Sequence, residues 1–272
     1  MNPIKKKNGS ELFYRVISAL LLLPALIVFI FMGPIFLIIL ATIIGALAYF
    51  EYFQIVNPVN KKFIVFIGAF LSSLLPIISY WGIDALLIAA TIYLASSLLY
   101  FLATKLLSFS RNFKFIDAIG IFYTGFPISF AILIHNLNDG KTLLLLILTI
   151  IFASDSFSYF IGKLFGKHFL APSISAGKTW EGFIGGLIGT LLTSLFIPEF
   201  LSLELSNIDK LCIGMTIGLI APIGDLLESK FKRSFNVKNS GILIPGHGGL
   251  LDRLDSLGFG FIGGYIILLM VL

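Results

Sequence analysis

Cations, carboxylates, a histidine and glycines crowd into one short segment of this chain. It reads Ser229-Lys-Phe-Lys232-Arg233 and then Pro245-Gly-His247-Gly248-Gly249-Leu-Leu-Asp252-Arg253-Leu-Asp255. Carboxylates hold hard cations, lysine and arginine hold phosphate, and glycine lets the backbone approach an anion closely. Most of the rest of the chain is apolar, and charge beside hydrocarbon is costly enough to be kept for function.

Three stripes repeat the chemistry. Asp155, Ser158, Tyr159 and Gly162 stand at i, i+3, i+4 and i+7 of an apolar segment, which makes one helical face, expected to look into protein or a water-filled cavity. Asp225, Glu228 and Ser229 repeat the spacing, and so do Asp252, Asp255 and Ser256. A Mg²⁺ site takes one or two carboxylates, with waters and substrate phosphates completing the shell. Paired carboxylates from different helices can also hold two metals about 4 Å apart. The competing reading is structural, with Asp225 and Asp252 simply pairing with Arg233 and Arg253. Asp255 suits a helix N-terminus equally well, and Glu228 suits a solvated loop edge.

Two further segments could touch phosphate. Lys178 and Thr179, in Lys178-Thr-Trp-Glu181-Gly182, offer a point charge and a hydroxyl, although Lys and Trp are also ordinary interfacial anchors. His247 sits among Gly246, Gly248 and Gly249 beside a helix start near Asp252, which suggests phosphate contact or proton transfer. His135 and His168 lack such surroundings and are assigned to loops.

The elements that must position these groups are membrane helices. The 272 residues are 58% hydrophobic and 12% charged, half the roughly 25% charge of a soluble domain, and mean hydropathy is +1.02. Spans of about 20 apolar residues are expected at Val16–Met32, Ile35–Phe50, Phe63–Trp81, Ala85–Ala103, Phe115–Ile134, Leu143–Gly162, Gly182–Phe196, Leu211–Leu227 and Ser256–Leu272. The expected fold is an all-α polytopic bundle of about nine transmembrane helices. Residues 1–140 would form a scaffold of spans 1–5, and residues 141–272 a catalytic region with cytoplasmic loops 163–181 and 228–255. Nine spans place seventeen of the nineteen Lys and Arg residues on one face and leave Lys141 and Lys210 opposite. The positive-inside rule then sets the N-terminus in the cytoplasm and the C-terminus outside. Lys5, Lys6 and Lys7 before Val16–Met32 look like a secretory signal, but no A-x-A-type site follows, so the segment is expected to stay as the first span.

The single cysteine, Cys212, rules out an internal disulfide and a multi-cysteine metal site. The net charge of +5 fits anionic headgroups, and no aromatic-interleaved basic patch argues for nucleic acid. Small-residue pairs such as Gly182/Gly186 and Gly260/Gly264 favour close helix packing, within one bundle or across a homodimer.

The motifs resemble those of the phosphatidate cytidylyltransferase family, the CDP-diacylglycerol synthases. The family's C-terminal signature is similar to Ser229 through Asp255, about 27 residues, and its upstream motifs resemble Asp155-Ser-Phe-Ser-Tyr159-Phe-Ile-Gly162 and Lys178-Thr-Trp-Glu181-Gly182. Two positions depart. The family's Lys-Asp is Lys238-Asn239 here, and its Ser-Pro-Lys-Lys-Thr is Ser175-Ala-Gly-Lys178-Thr179, with one lysine fewer. The resemblance implies a cytoplasmic-membrane enzyme that condenses CTP with phosphatidate, giving CDP-diacylglycerol and pyrophosphate, with one or two Mg²⁺ ions. In that reading Asp225, Asp252, Lys178 and His247 are catalytic. Asp225 and Asp252 hold metal, supported by Asp155 and Asp255. Lys178, Thr179, Ser229, Lys232, Arg233, Lys238, Gly248, Gly249 and Arg253 bind substrate phosphates. The alternatives are a CTP-dependent transferase acting on a polyprenol or archaeol-type lipid, and an ion-coupled transporter.

Overall fold

In lipid every backbone polar group needs an internal partner, so long apolar runs become helices. The computed structural model describes residues 9–57, 62–106, 115–241, 243 and 248–272. Among them nine helices form, one at each expected span: α1 (Gly9–Met32), α2 (Pro34–Val56), α3 (Lys62–Ser79), α4 (Ile83–Leu106), α5 (Phe115–His135), α6 (Gly140–Phe165), α7 (Trp180–Phe200), α8 (Asn207–Ser234) and α9 (Leu251–Val271). Gly33, at φ 114°, breaks α1 from α2, and Pro34 then starts α2 at a position where its missing N–H is harmless. Ser206 caps α8 reciprocally with Asp209, which starts the helix four residues before the apolar run.

By length and composition, α2, α6, α7, α8 and α9 are long and apolar enough to cross a membrane. The outer faces agree. Ile184, Ile188, Leu192, Phe196 and Phe200 form an exposed apolar stripe along α7, a surface better suited to lipid than to water.

One element departs from the all-helical expectation. The α6–α7 connection carries an antiparallel hairpin, β1 (Phe169–Ala171) with β2 (Ser175–Thr179), pairing Phe169 with Thr179 and Ala171 with Ser175. Its strands are too short for sequence alternation to reveal them.

Helices α6, α7, α8 and α9 pack in sequence, α2, α3 and α5 form a second group, and α5 joins the groups through α9. The buried core, with Leu146, Ile147, Ile150, Ile217 and Leu268, lies where α6, α8 and α9 meet. Polar contacts between helix ends mark two distinct ends of the bundle. At one end Lys141 Nζ donates to the Phe31 carbonyl at 3.3 Å, and Asn136 Nδ2 donates to the Tyr80 carbonyl at 3.3 Å. His135 is there too, as the buried last residue of α5 and not in a loop, with Nε2 3.1 Å from the Ile30 carbonyl. Lys210 is buried and paired with Glu199. The other end holds the finish of α2 and α8, the hairpin and the start of α7 and α9.

Candidate active site

Gly224 decides how closely α8 and α9 approach. A methyl group on it would collide with the Asp255 carbonyl and the Phe259 ring, so only glycine lets the two backbones meet at this level. Below this crossing the last turns of α8 present Asp225, Glu228, Ser229 and Lys232 on one stripe, and the first turns of α9 present Asp252, Asp255 and Ser256.

Carboxylate oxygens of Asp225, Glu228 and Asp255 all lie within 4.8 Å of one another. Glu228 is fully buried and Asp255 nearly so. Glu228 therefore joins the centre of the site and is no loop-edge charge. Its Oε1 is buried with no hydrogen-bond partner among the described residues. Asp155 reaches the group through Ser256, whose Oγ donates to Asp155 Oδ2 at 3.3 Å. Ser229 Oγ donates to Asp225 Oδ1 at 3.4 Å.

Asp252, expected to share metal with Asp225, is otherwise engaged. Its Oδ1 lies 2.6 Å from Lys232 Nζ. It accepts the Ser240 N–H at 3.2 Å, and its Oδ2 accepts the Gly249 N–H at 3.0 Å. Lys232 also pairs with Glu228 Oε2 at 2.5 Å, so one ammonium joins Asp252 to the carboxylate group. Lys178, at the end of β2, pairs with Asp225 Oδ2 at 2.5 Å. The cations on Asp225 and Asp252 are thus lysines from the hairpin and from α8. Arg233 spends Nε on the Ile174 carbonyl at 3.3 Å and Nη1 on the Val237 carbonyl at 3.2 Å, tying the hairpin to the end of α8.

Several expected phosphate ligands have local duties. Thr179 is the N-cap of α7, its Oγ1 accepting the Gly182 N–H at 3.1 Å. The Gly249 N–H is taken by Asp252, and Gly248 adopts φ 92°, where a side chain would be strained. Lys238 and Arg253 are exposed. His247, with Pro245 and Gly246, lies outside the described residues, as do Lys5, Lys6, Lys7, Lys61, Arg111 and Lys114. The α6 stripe divides. Asp155 turns to α9, Gly162 packs against Thr179 of the hairpin, and Tyr159 faces outward under Lys163 Nζ, 5.7 Å from its ring centroid. His168, between α6 and β1, lies with Nδ1 2.6 Å from Glu181 Oε1, which also accepts the His168 N–H at 3.3 Å.

One residue at this end escaped the motif reading. Glu51 of α2 is almost completely buried, and its Oε2 accepts the Leu251 N–H at 2.8 Å and the Ser240 hydroxyl at 3.1 Å. The notch expected to hold phosphate at the start of α9 is therefore occupied by the chain's own carboxylates, Glu51 and Asp252. A lone acid inside an apolar stretch that runs on to Val56 was the available signal; ending the second span at Phe50 hid it.

The site combines clustered carboxylates, two lysines and glycine-enabled backbone closeness at one end of an apolar bundle. A profile of the cytidylyltransferase family matches residues 13–271. A protein of Haemophilus influenzae named phosphatidate cytidylyltransferase is 32% identical over 278 residues, covering 89% of this chain and 93% of that one. Proteins of the same name from Staphylococcus saprophyticus and Staphylococcus aureus are 41% and 40% identical over 155 residues. Those matches take in 55% of this chain and 59% of each staphylococcal protein. With the family profile running almost end to end, the chain belongs to the cytidylyltransferase family.

Proposed function

We propose that this protein transfers a cytidylyl group from CTP to the phosphate of phosphatidate, giving CDP-diacylglycerol and pyrophosphate, in a Mg²⁺-dependent step of phospholipid synthesis. The observation that carries the reading is the Asp225, Glu228 and Asp255 carboxylate group with Lys178 and Lys232 on its flanks. The names of the relatives supply the substrate class.

The residues fit a hard divalent cation. Five carboxylates (Asp155, Asp225, Glu228, Asp252 and Asp255) share the site with two paired lysines, Lys178 and Lys232. The buried Glu228 and Asp255 carboxylates beside Asp225 favour a counter-ion, and among the described residues Glu228 Oε1 has no hydrogen-bond partner. Asp225, Glu228 and Asp255 would hold Mg²⁺, with Asp155 supporting through Ser256. The ion, when bound, supplies charge neutralisation for the crowded phosphate oxygens.

The chain's own groups do the positioning. A phosphatidate oxygen attacks the α-phosphorus of CTP, the bond from that phosphorus to the bridging oxygen breaks, and pyrophosphate leaves with the electron pair. The attacking phosphate is already ionised near neutral pH, so no general base is required. Both reactants are anionic, and phosphoryl transfer depends mostly on alignment and on offsetting that repulsion. Lys178 and Lys232 provide ammonium groups at the carboxylate rim, and Arg253 adds a third cation. Asp252 fixes Lys232 and the Gly249 backbone. Acyl chains stay along apolar faces like that of α7, while the headgroup meets CTP at the membrane surface. The excess of Lys and Arg in the even-to-odd connections supports a site facing the cytoplasm.

The test is purified protein in detergent with labelled CTP, phosphatidate and Mg²⁺. A lipid-soluble cytidine product that disappears with EDTA is expected. No product from phosphatidate, but CTP turnover with a polyprenol or an archaeol-type lipid phosphate, would reassign the lipid. No nucleotide consumption with any lipid would overturn the reading.

A further inference from the structure

Glu51 stands on α2, in the half of the chain that carries none of the motifs, and its partners lie 189 and 200 residues away. One oxygen, Oε2, takes both the Ser240 hydroxyl and the Leu251 N–H. The packing around it is close. A methyl group on Gly249 would stand 2.5 Å from Oε2, and one on Gly241 would stand 2.5 Å from Oε1. Oε1 itself is buried and has no hydrogen-bond partner among the described residues. Burying this carboxylate carries a desolvation cost, and its two hydrogen bonds offset that cost while satisfying the Ser240 hydroxyl and the Leu251 N–H.

The contacts run onward from Glu51 to the site. Ser240 Oγ, which Glu51 holds, accepts the Asp252 N–H at 3.3 Å, and the Ser240 N–H returns to the Asp252 carboxylate at 3.2 Å. Leu251 is the first residue of α9, next to Asp252 in the chain. Asp252 holds Lys232 at 2.6 Å, and Lys232 holds Glu228 at 2.5 Å. The neighbouring Tyr52 braces the same region, its ring stacked on Phe231 of α8 at 4.9 Å between centroids and its hydroxyl donating to the Ile116 carbonyl at 2.8 Å. Residues 51 and 52 of α2 thus grip the end of α8, the segment after it and the start of α9 together.

We infer that Glu51 is a positioning residue for the reaction, holding Ser240 and the first turn of α9 so that Asp252 sets Lys232 against the carboxylate group. This rests on the proposed transfer for its kinetic consequence. Its structural consequence, the tethering of Ser240 and Leu251, can be read without any activity.

The experiment compares wild type, E51L and E51Q as full-length protein in detergent. Amide hydrogen exchange is followed by mass spectrometry, alongside kcat and KM for CTP. Leucine removes both contacts. Glutamine keeps a carbonyl oxygen that can accept from Ser240 and Leu251. Losing hydrogen bonds to a charged acceptor corresponds to about 10- to 100-fold. E51L is therefore expected to exchange about tenfold or more faster in peptides covering 240–252, with peptides from α6 and α7 unchanged. Its kcat should fall about 10- to 100-fold while E51Q stays within about fivefold of wild type in both readouts. E51L with wild-type exchange at 240–252, or with kcat within about twofold of wild type, overturns the inference. So does faster exchange throughout the bundle, or an equal loss in E51Q, because either marks a merely structural role. If the wild type forms no cytidine lipid, the proposed transfer fails, and the exchange arm alone still decides whether Glu51 tethers this segment.

Discussion

Lys178 Nζ rests 2.5 Å from Asp225 Oδ2. A cation from the hairpin is thus seated on a carboxylate that is also within 4.8 Å of Glu228 and Asp255. In the proposed reaction the lysine and a divalent ion would compete for the same negative charge, while CTP would be drawn to the lysine.

This competition gives opposite signs for two ligands in K178M. Removing the ammonium leaves Asp225 less neutralised, so Mn²⁺, as a spectroscopic substitute for Mg²⁺, should bind more tightly. The KM for CTP should rise about 10- to 100-fold, the effect of losing one charged hydrogen bond. Electron paramagnetic resonance titration and steady-state kinetics read the two. Weaker binding of both ligands would place Lys178 in the folding of the hairpin and not at the phosphates.

Glu228→Gln and Asp252→Asn separate metal holding from scaffold holding. Glu228→Gln should weaken Mn²⁺ binding about 100-fold or more and reduce turnover in parallel. Asp252→Asn should leave Mn²⁺ affinity within a few fold and lower turnover by about 10- to 100-fold, the effect typical of a group that orients a ligand. The reverse pattern would restore Asp252 to the metal.

Gly224→Ala is a test of helix approach. The new methyl meets the Asp255 carbonyl and the Phe259 ring, so α8 and α9 must part. Overpacking of this kind costs about 1–3 kcal/mol, and a lower Tm together with loss of Mn²⁺ binding is expected. Gly177→Ala, which meets nothing within 4 Å, is the control and should match wild type in Tm. Equal behaviour of the two variants would mean that the crossing relaxes without disturbing the carboxylates.

Ile188→Lys addresses the outward stripe of α7. A lysine near the middle of a spanning helix costs roughly 2.5–3.5 kcal/mol in insertion. The variant should be recovered less from carbonate-washed membranes than an Ile188→Leu control. Equal recovery would mean that lipid does not cover this face.

The helices were legible because each apolar run exceeds what a soluble core element needs, and the α8 and α9 stripes were legible because i, i+3, i+4 spacing fixes a helical face. What sequence spacing cannot give is the partner across space. Asp252 and Asp255 are one turn apart on one helix, yet the first bonds Lys232 and Gly249 while the second meets Asp225 and Glu228. Sequence left Glu228 open between the acidic stripe and a loop-edge charge because the apolar run ends at Leu227, whereas α8 continues to Ser234 and buries it. The lysines pair with Asp225 and Asp252 from a hairpin strand and from twenty residues upstream, distances no local rule covers.

The bond from the Leu251 N–H to Glu51 closes a loop of 200 residues. A ribosome must therefore have made α2 and the 200 residues that follow Glu51 before that bond can form. Until then the buried Glu51 carboxylate waits for its partners, and the polar end of α8 for Asp255. A nascent chain interrupted before Leu251 therefore carries Glu51, Asp155, Asp225 and Glu228 without the α9 groups they meet in the folded protein.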